Sequence, residues 1–386
     1  MTLSERAARM ALSCVVDAGD TTVAELVDSI GAIQTWRLLI EGRFGAPLAQ
    51  RGAGLDIPGM AREAETAGTR FITPEDEEWP RALGDLIHCP SVQRRGGVPF
   101  GLWLRGPGHL ARLVQRSVAI VGSRAATSYG TGIATDLAAD LAEHEITVIS
   151  GGAYGIDAAA HAGALAVGGP TLCVVANGVD VAYPPGNSRL FASLASDHLL
   201  VSELPLGAHP TRMRFLARNR LIAAVSKGTV VVEAALRSGA RNTATWAAEC
   251  SRHVMAVPGS VHSTTSAAPH LMIRSGQATL VTSAADVLEL LSDIGQNIVA
   301  MPHGATRPTD NIDGVRLAVF EAVPRSRRAS VGALAMAAGV SVPECLAHLG
   351  ALEAAGLVDG TVVGWRALVP PTSRPRLPSA SEPGAG

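Results

Sequence analysis

The stretch that decides the fold is VAIVGSRAATSYG, residues 118–130, in which four apolar residues are followed by a glycine, a serine and an arginine. Four consecutive apolar residues favour a strand buried on both faces of a parallel sheet. A dinucleotide-binding turn continues with further glycines, whereas this turn offers the cation Arg124 soon after Gly122. The amino end of a helix predicted near residues 128–130 adds backbone N–H groups, which together with a guanidinium favour an anion. The loop alone leaves open the alternative of a surface arginine beside a packing glycine.

Six further apolar runs follow between residues 146 and 282. They are ITVIS, TLCVVA, HLLVSE, TVVVE, HVMAVP and ATLVT, and helical runs separate them. Near-continuous apolar strands that alternate with helices predict a mostly parallel sheet covered on both faces. The handedness of crossovers makes a doubly wound, Rossmann-like α/β sheet the expected architecture. Ligands of such sheets bind beyond the carboxyl ends of the strands, so the loops that follow the strands are the candidate sites.

The remaining chain predicts smaller units at both ends of this extended sheet domain, which we place at residues 63–295. Short amphipathic helices over residues 1–62 indicate a small, SAM-like helical domain. A stretch rich in Gly, Pro and Asn over residues 296–312 is typical of a linker. Two short helices, a DG turn and a strand pair over residues 313–369 outline a winged-helix domain. Residues 370–386 consist mainly of Pro, Ser, Gly and Ala, which predicts a disordered tail.

Composition narrows the class of protein. The 386 residues are 47% hydrophobic, enough for a sizeable core, and the net charge is only −2. Five cysteines lie far apart without a CxxC pair, so neither a zinc site nor a disulfide framework is indicated, and a reducing cytoplasm is the expected location. No stretch approaches the ~20 apolar residues of a membrane span, so we expect no membrane insertion.

A second glycine-rich loop, SGGAYGIDAAAH, covers residues 150–161. Gly151 and Gly152 free backbone amides at a helix start, an arrangement suited to phosphate. A nicotinamide enzyme places an acid about 20 residues after its glycine turn, but a serine and a glycine stand there, so we predict no cofactor. Asp157 and His161 are one helical turn apart. Without a third ligand nearby, a helix-cap aspartate and a packed histidine are favoured over a metal or acid/base pair, and we predict no metal.

The segment 211–252 concentrates positive charge. It holds two acids and eight basic residues, namely Arg212, Arg214, Arg218, Arg220, Lys227, Arg237, Arg241 and Arg252. A charge run is most often a solvated face, but these residues flank a predicted strand. We therefore expect them at the same sheet edge as Arg124, where a focused basic edge indicates a polyanionic ligand.

Aromatic side chains accompany these loops. Tyr154, Tyr183 and Phe215 can stack on unpaired bases, although Phe215 is equally consistent with a core anchor. The loop over residues 177–191 also carries Asn187, but its Pro-Pro-Gly-Asn run is ordinary for a turn.

Together these motifs resemble the DNA-processing protein A family, also called DprA or Smf. The family's VGSR…YG matches residues 121–130, SG.A.GID..AH.GAL matches 150–165, G.D..YP..N..L matches 178–190, and F..RNR.IA..S matches 215–226. AVPG at residues 256–259 completes the order. The resemblance covers residues 70 to 290, nearly all of the predicted sheet domain.

The resemblance implies a homodimeric, cytoplasmic protein that binds single-stranded DNA without sequence preference. It also implies protection of incoming DNA and loading of the RecA recombinase in natural transformation or recombination, without catalysis. The implied DNA-binding residues are Gly122, Ser123, Arg124, Gly151, Gly152, Asn187, Phe215, Arg218, Asn219, Arg220, Lys227, Ser238 and Arg241. Arg124, Arg218 and Arg220 are expected to grip the DNA backbone. Ser123, Gly152 and Asn219 are expected to shape the loops, with Lys227 and Arg241 at the periphery.

The sequence departs from the family pattern at Tyr154, Pro185, Ala268 and His270. These changes affect the expected DNA path more than the fold. A rival interpretation is a Rossmann-like nucleoside-monophosphate phosphoribohydrolase, but Glu233 ends its strand without the GGxGTxxE frame of such enzymes. The second helix of the predicted winged-helix domain contains no lysine or arginine, which favours contact with protein over contact with duplex DNA.

Overall fold

A computed structural model describes residues 3–292, 297, 312 and 314–368. The chain divides into two compact units between Val299 and Ala300. The predicted tail lies outside the described residues, as does the predicted linker apart from residues 297 and 312. The predicted domain boundaries therefore stay predictions, and the two units are described separately.

The first unit opens with five short helices. They are α1 (Glu5–Val15), α2 (Thr21–Ile30), α3 (Ala32–Ile40), α4 (Ala46–Ala53) and α5 (Ile57–Thr66). Ser4, Asp20 and Asp56 start three of them, since each side chain accepts a hydrogen bond from a first-turn amide. The helices share a buried core that extends to Phe100. The Trp103 indole N–H donates to Ser13 Oγ at 3.4 Å, so these helices pack on the sheet.

A nine-stranded sheet forms the centre of this unit. Its strands are β1 (Thr69–Ile72), β2 (Leu102–Arg105), β3 (Ser117–Val121), β4 (Thr147–Ser150), β5 (Thr171–Val174), β6 (Leu199–Ser202), β7 (Gly228–Val231), β8 (His253–Ala256) and β9 (Thr279–Leu280). Their order is β1-β2-β6-β5-β4-β3-β7-β8-β9. β1–β2 and β2–β6 are antiparallel, whereas all other pairs are parallel. The predicted mostly parallel sheet is confirmed, and the antiparallel edge extends it.

Helices cover both faces of the sheet. They are α6 (Leu110–Leu113), α7 (Ser128–Glu143), α8 (Ile156–Ala166), α9 (Ser188–Asp197), α10 (Arg212–Val225), α11 (Gly239–Glu249), α12 (Ala267–Arg274) and α13 (Ala284–Leu291). Alternate residues of β3 enter different cores, as a pleated strand requires. Ala119 and Val121 join the core that contains residues of α10 and α11, whereas Val118 and Ile120 join the core that contains residues of α7.

The order of strands reverses beside β3. From β3 the chain proceeds through β4 and β5 to β6 on one side, and from β7 it proceeds through β8 to β9 on the other. The loops after β3 and β7 therefore leave the sheet in opposite directions and open a crevice between them, the usual place for a ligand of a doubly wound sheet.

The second unit contains α14 (Gly314–Ala322), α15 (Val331–Ala338), α16 (Val342–Ala354), β10 (Val358–Thr361) and β11 (Gly364–Ala367). β10 and β11 form an antiparallel hairpin, and Ala329 adds a bridge to Trp365. This order matches the predicted winged helix, which stays a prediction. Within the described residues no single helix is long and apolar enough to cross a membrane. α15 and α16 meet that criterion only as a pair, which is bent by 101°.

Candidate nucleic-acid interface

A groove of about 1040 Å³ lies at the crevice between the loops after β3 and β7. We call it the switch-point groove. Its lining includes one acidic residue, Asp157, and five arginines, Arg124, Arg212, Arg218, Arg237 and Arg241. The amino ends of α10 and α11 also contribute to the lining, through Thr211 and through Ser238 and Gly239. The volume is at the upper end of the ~300–1,000 Å³ usual for small-molecule sites, and the lining is strongly cationic.

Phe215 lies in this groove rather than in the core. The Arg124 guanidinium carbon is 4.6 Å from the centre of the Phe215 ring, a cation–π distance. The Tyr183 ring is tilted against Phe215, with 6.0 Å between the ring centres. An arginine and a tyrosine from two loops thus meet the Phe215 ring of α10. Of the two alternatives that the sequence left open for Phe215, the structure favours the ring near Arg124 over the core anchor. Tyr154 instead accepts a hydrogen bond from the Gly186 amide at 3.2 Å.

Arg218 is a buried cation in the groove wall. Only 7% of it is exposed, and its Nη1 donates to the Val174 carbonyl oxygen at 2.8 Å. Burial lowers the pKa of Arg218, and the charge of Asp157 opposes that shift. Burial likewise raises the pKa of Asp157, against the charges of Arg218 and Arg124. The pair share an environment in which an added anion would stabilise the charged guanidinium.

Three buried polar atoms of the groove wall have no hydrogen-bond partner within the described residues. They are Arg218 Nε, Ser238 Oγ and Asn242 Nδ2. Asn219 Nδ2 donates to Asn242 Oδ1 at 3.1 Å and so fixes the orientation of the neighbouring amide. Buried polar groups are nearly always hydrogen-bonded. Seven other buried polar atoms of the described residues also lack a partner, so these three support a ligand rich in acceptor oxygens only together with the charge of the groove.

The amino end of α7 is not a free anion site. Thr127 donates from its backbone N–H and its hydroxyl to the two Glu233 carboxylate oxygens, at 2.9 and 2.7 Å, and its hydroxyl caps the Gly130 amide. A Cβ atom at Gly130 would lie 2.3 Å from the same carboxylate. The protein's own buried carboxylate therefore occupies the position that the sequence assigned to an external anion. Gly122 and Ser123 still line the groove, and the Ser123 amide donates to the Glu233 carbonyl oxygen at 2.7 Å.

The second glycine loop is also filled from within. The Gly151 amide donates to Asp157 Oδ2 at 3.2 Å, and neither Gly151 nor Gly152 lines the groove. The assignment of these glycines as DNA contacts is corrected: they are buried. A Cβ atom at Gly151 would lie 1.6 Å from Nη1 of Arg218, so this glycine makes room for the guanidinium. Asn187 lies outside the groove and stabilises the second glycine loop, because its Nδ2 donates to the Gly152 carbonyl oxygen at 3.0 Å.

His161 is a packed core histidine, as predicted. Its Nδ1 is 2.8 Å from the Thr171 hydroxyl, and burial lowers its pKa to about 3, so the ring is neutral. Asp157 accepts from the loop amides instead of meeting His161 at a shared ligand. Across the described ranges no group of three His, Cys, Asp or Glu side chains is arranged to hold a metal ion.

The phosphate-gripping role predicted for Arg220 is wrong for this structure. Its side chain is fully buried and donates to both Glu203 carboxylate oxygens, at 2.7 and 2.6 Å, and to the Gly97 carbonyl oxygen at 3.0 Å. The helix α10 explains the difference, because it turns Arg218 toward the groove and Arg220, two residues later, toward another face.

Lys227 lies away from the groove, whereas the sequence predicted it at the periphery of the DNA site. It directly precedes β7, and its amide donates to the carbonyl oxygen of Ser117, the first residue of β3. It therefore lies at the amino-terminal edge of the parallel sheet, opposite the groove. Of the eight basic residues in the segment 211–252, Arg212, Arg218, Arg237 and Arg241 line the groove.

Sequence reasoning placed Arg212 only within the basic segment and did not single out Thr211 or Asn242 as site residues. Thr211 accepts from the Arg214 amide and begins α10 at the groove. A threonine directly before a helical arginine run is a recognisable N-cap signal, which identifies where this helix begins. Asn242 carries no comparable signal, since its place depends on the packing of α11 against α10.

The fold and the groove together define a doubly wound, Rossmann-like protein with a cationic, partly aromatic site at the switch point. Residues 70–292 match the family model of the DNA recombination-mediator protein A. The chain is 41% identical over 363 residues to the putative DNA processing protein DprA of Mycobacterium tuberculosis, covering 92% of this chain and 93% of that protein. It is 38% identical over 297 residues to protein Smf of Escherichia coli, covering 76% of each.

Among solved structures, the X-ray structure of DNA processing protein A from Streptococcus pneumoniae is similar to this chain. The TM-score is 0.62 at 31% sequence identity, and the match covers 75% of this chain and 98% of that one. The chain therefore belongs to the DprA/Smf family of DNA-processing, recombination-mediator proteins. The resemblance and the fold class predicted from the sequence are confirmed.

Proposed function

We propose that this chain binds single-stranded DNA without sequence preference in the switch-point groove, protects it and delivers it to the RecA recombinase. The observation that carries the proposal is the meeting of five arginines, three unsatisfied buried polar atoms and Phe215 at one groove. The relatives named above are DNA processing proteins, which supports a DNA ligand for this groove.

The chemistry of the groove favours unpaired strands. Guanidinium forks match phosphate oxygens, and contacts to phosphates carry no sequence information. Phe215 and Tyr183 offer ring faces to unstacked bases, where stacking contributes about 1–3 kcal/mol per base. Bases inside a duplex do not present these faces, so the combination of arginine and aromatic side chains supports single-stranded over double-stranded DNA.

A binding role fits the groove better than a hydrolytic one. The phosphoribohydrolase alternative requires a free acid near the glycine turn, and Glu233 is the acid at that place. Its carboxylate accepts hydrogen bonds from Thr127 and from the Thr265 hydroxyl, and 1% of the residue is exposed. An acid so fully engaged positions the loops instead of transferring protons. We therefore propose no catalytic activity and no cofactor.

Delivery to RecA, the homodimer and a cytoplasmic location complete the proposal and rest on family membership. RecA-catalysed strand exchange on DNA covered with a single-strand-binding protein measures delivery directly. We expect the wild-type chain to shorten the lag of that reaction and Arg124→Ala to leave it long. Equal lags with and without the wild-type chain would remove delivery from the proposal but not DNA binding.

Salt-dependent binding tests the groove. Arg124 and Lys227 are both exposed cations, but only Arg124 lines the groove. We expect Arg124→Ala to weaken binding of a labelled oligothymidylate and of mixed-sequence strands equally, and to reduce the salt slope by about 0.7 for each phosphate that Arg124 neutralises. Lys227→Ala, the matched control, should leave both unchanged. Equal effects of the two variants in fluorescence anisotropy would exclude the groove as the binding site.

A further inference from the structure

Cys89 and Cys250 meet in the fold although they are 161 positions apart. Their sulfur atoms are 3.2 Å from each other. Cys89 follows a short 3₁₀ helix, Arg81–Ile87, in the segment between β1 and β2, and Cys250 is the residue at which α11 ends. The spacing of cysteines in the sequence gives no sign of this pairing, because the contact depends on how that segment packs against α11.

The surroundings of Cys89 hold its sulfur atom in place. Cys89 Sγ lies 3.3 Å from the Asp85 carbonyl oxygen and 3.4 Å from the Glu249 carbonyl oxygen. Arg252 Nη2 and Asp85 Oδ2, 2.5 Å apart, form an ion pair that joins the same two segments. The sulfur atoms therefore need to approach by little more than 1 Å to reach the ~2.05 Å of a disulfide bond, between backbones that are already fastened together.

We propose that Cys89 and Cys250 are a redox-modification site, in which the two thiols form a reversible disulfide with a small-molecule disulfide such as oxidised glutathione. Cys89 is half-buried and accessible to the oxidant, whereas Cys250 is buried behind it. In a reducing compartment the pair stays as two thiols, so the link forms only when the glutathione pool becomes oxidised. The proposal is independent of the proposed DNA-binding function.

The exchange proceeds in two balanced steps. The Cys89 thiolate attacks one sulfur of oxidised glutathione, and the S–S bond breaks to release one glutathione thiolate, which takes up a proton. The Cys250 thiol then loses its proton to solvent and attacks Cys89 Sγ, which releases the second glutathione. Two protein thiols are oxidised and one glutathione disulfide is reduced.

The Cys250 thiol stays protonated until the second step. Burial raises the pKa of Cys250 to about 12, and the hydrogen bond and charge of Cys89 and the charge of Asp85 act in the same direction. Arg252 opposes this shift. Once Cys89 carries glutathione, its thiol no longer raises the pKa of Cys250, and the Cys250 sulfur already lies beside Cys89 Sγ.

Closing the bond constrains the unfolded chain far more than the folded one. The loop that it closes spans the strands β2 to β7, and a long closed loop removes much of the entropy of the unfolded state. The oxidised protein should thus have a higher thermal unfolding midpoint than the reduced protein. The native arrangement changes little, because the two segments already touch.

Mass spectrometry of the full chain tests the proposal. After incubation with oxidised glutathione under native conditions, we expect non-reducing proteolysis to yield a Cys89–Cys250 peptide pair that is two hydrogen atoms lighter than the sum of its parts. Dithiothreitol should separate it and return the unfolding midpoint to that of the reduced protein. Cys14→Ser, a control at another half-buried cysteine, should form the same pair.

Variants add a second measurement. In the Cys250→Ser variant, the reaction with oxidised glutathione should stop at a stable glutathione adduct on Cys89. If that variant does not fold, the wild-type peptide map decides alone. Three results in the wild type would overturn the proposal: two free thiols after oxidation, an adduct on Cys89 that never resolves, or a link from Cys89 to a different cysteine.

Discussion

Replacing Arg220 with methionine separates a structural role from the DNA-contacting role that its place in the RNR motif predicts. The guanidinium makes two contacts to Glu203, at 2.6 and 2.7 Å, and donates to the carbonyl oxygens of Gly97 and Ala217, each at 3.0 Å. The two charged side chains are 1% and 6% exposed. Removal of Arg220 therefore leaves the Glu203 carboxylate buried without its counter-ion.

The expected loss of stability is large. Breaking a buried ion pair by removing one partner costs about 3–5 kcal/mol. With a urea m value of about 3 kcal/mol/M, the unfolding midpoint should fall by about 1–1.7 M. Methionine keeps the apolar stem of Arg220, so little of this loss comes from packing. The double variant Arg220→Met/Glu203→Leu should recover most of it, because an apolar pair of similar volume replaces a buried ion pair at little cost.

Two assays on the same samples decide the matter. Urea unfolding followed by circular dichroism measures stability, and anisotropy of a labelled single strand measures affinity under conditions in which each variant is folded. We expect every folded variant of this pair to bind DNA within about twofold of the wild type. Unchanged stability of Arg220→Met together with weakened DNA binding would refute the reasoning and return Arg220 to the DNA contacts. Arg124→Ala supplies the opposite pattern as a control.

Two further predictions concern the groove wall and the core. Gly151→Ala places a Cβ atom 1.6 Å from Arg218 Nη1, so the guanidinium must give up its 2.8 Å hydrogen bond to the Val174 carbonyl oxygen. Anisotropy should show about a tenfold loss of affinity for single-stranded DNA, which corresponds to one charge-assisted contact. Wild-type affinity of this variant would contradict the prediction. Burial lowers the pKa of His161 from 6.5 to about 3. As pH falls below 6.5 the unfolded chain binds a proton there that the folded protein does not, so the free energy of unfolding should fall by up to about 1.4 kcal/mol per pH unit. In denaturant unfolding, the stability of His161→Gln should lack this dependence on pH. If the variant keeps the wild-type slope of unfolding free energy against pH, the prediction is wrong.

The central sheet could be predicted from the sequence because helices cover both of its faces, and strands buried on both faces are continuous apolar runs. All seven apolar runs from residue 118 onward became strands, β3 to β9, in the predicted order along the chain. β1 and β2 were not predicted. Each has four residues, and both lie at the ends of a segment rich in Pro, Gly and Trp. Their strand conformation depends on pairing with each other and with β6, a long-range contact that no local pattern reports.

The site could be predicted only in part, because local spacing does not show which polar groups already have partners inside the fold. Arg218 and Arg220 belong to one motif, yet one faces the groove and the other is neutralised by Glu203, 17 positions earlier. The two glycine loops also have partners inside the fold that their sequences do not show. Each has the amides that a phosphate requires, and Glu233 and Asp157 occupy them.

The partners of the arginines support our proposal that the groove binds a polyanion. Away from it, some guanidinium groups are neutralised internally, such as Arg70 by Glu78 and Arg252 by Asp85. Within the described part of the chain, none of the five groove arginines has an acidic oxygen within the 4.0 Å of an ion pair. Five like charges with Asp157 as the one acidic residue of the described groove lining repel each other, so their convergence destabilises the free protein. In the function that we propose, phosphates that enter the groove would relieve that repulsion and release condensed counter-ions, so we expect binding to be sensitive to salt.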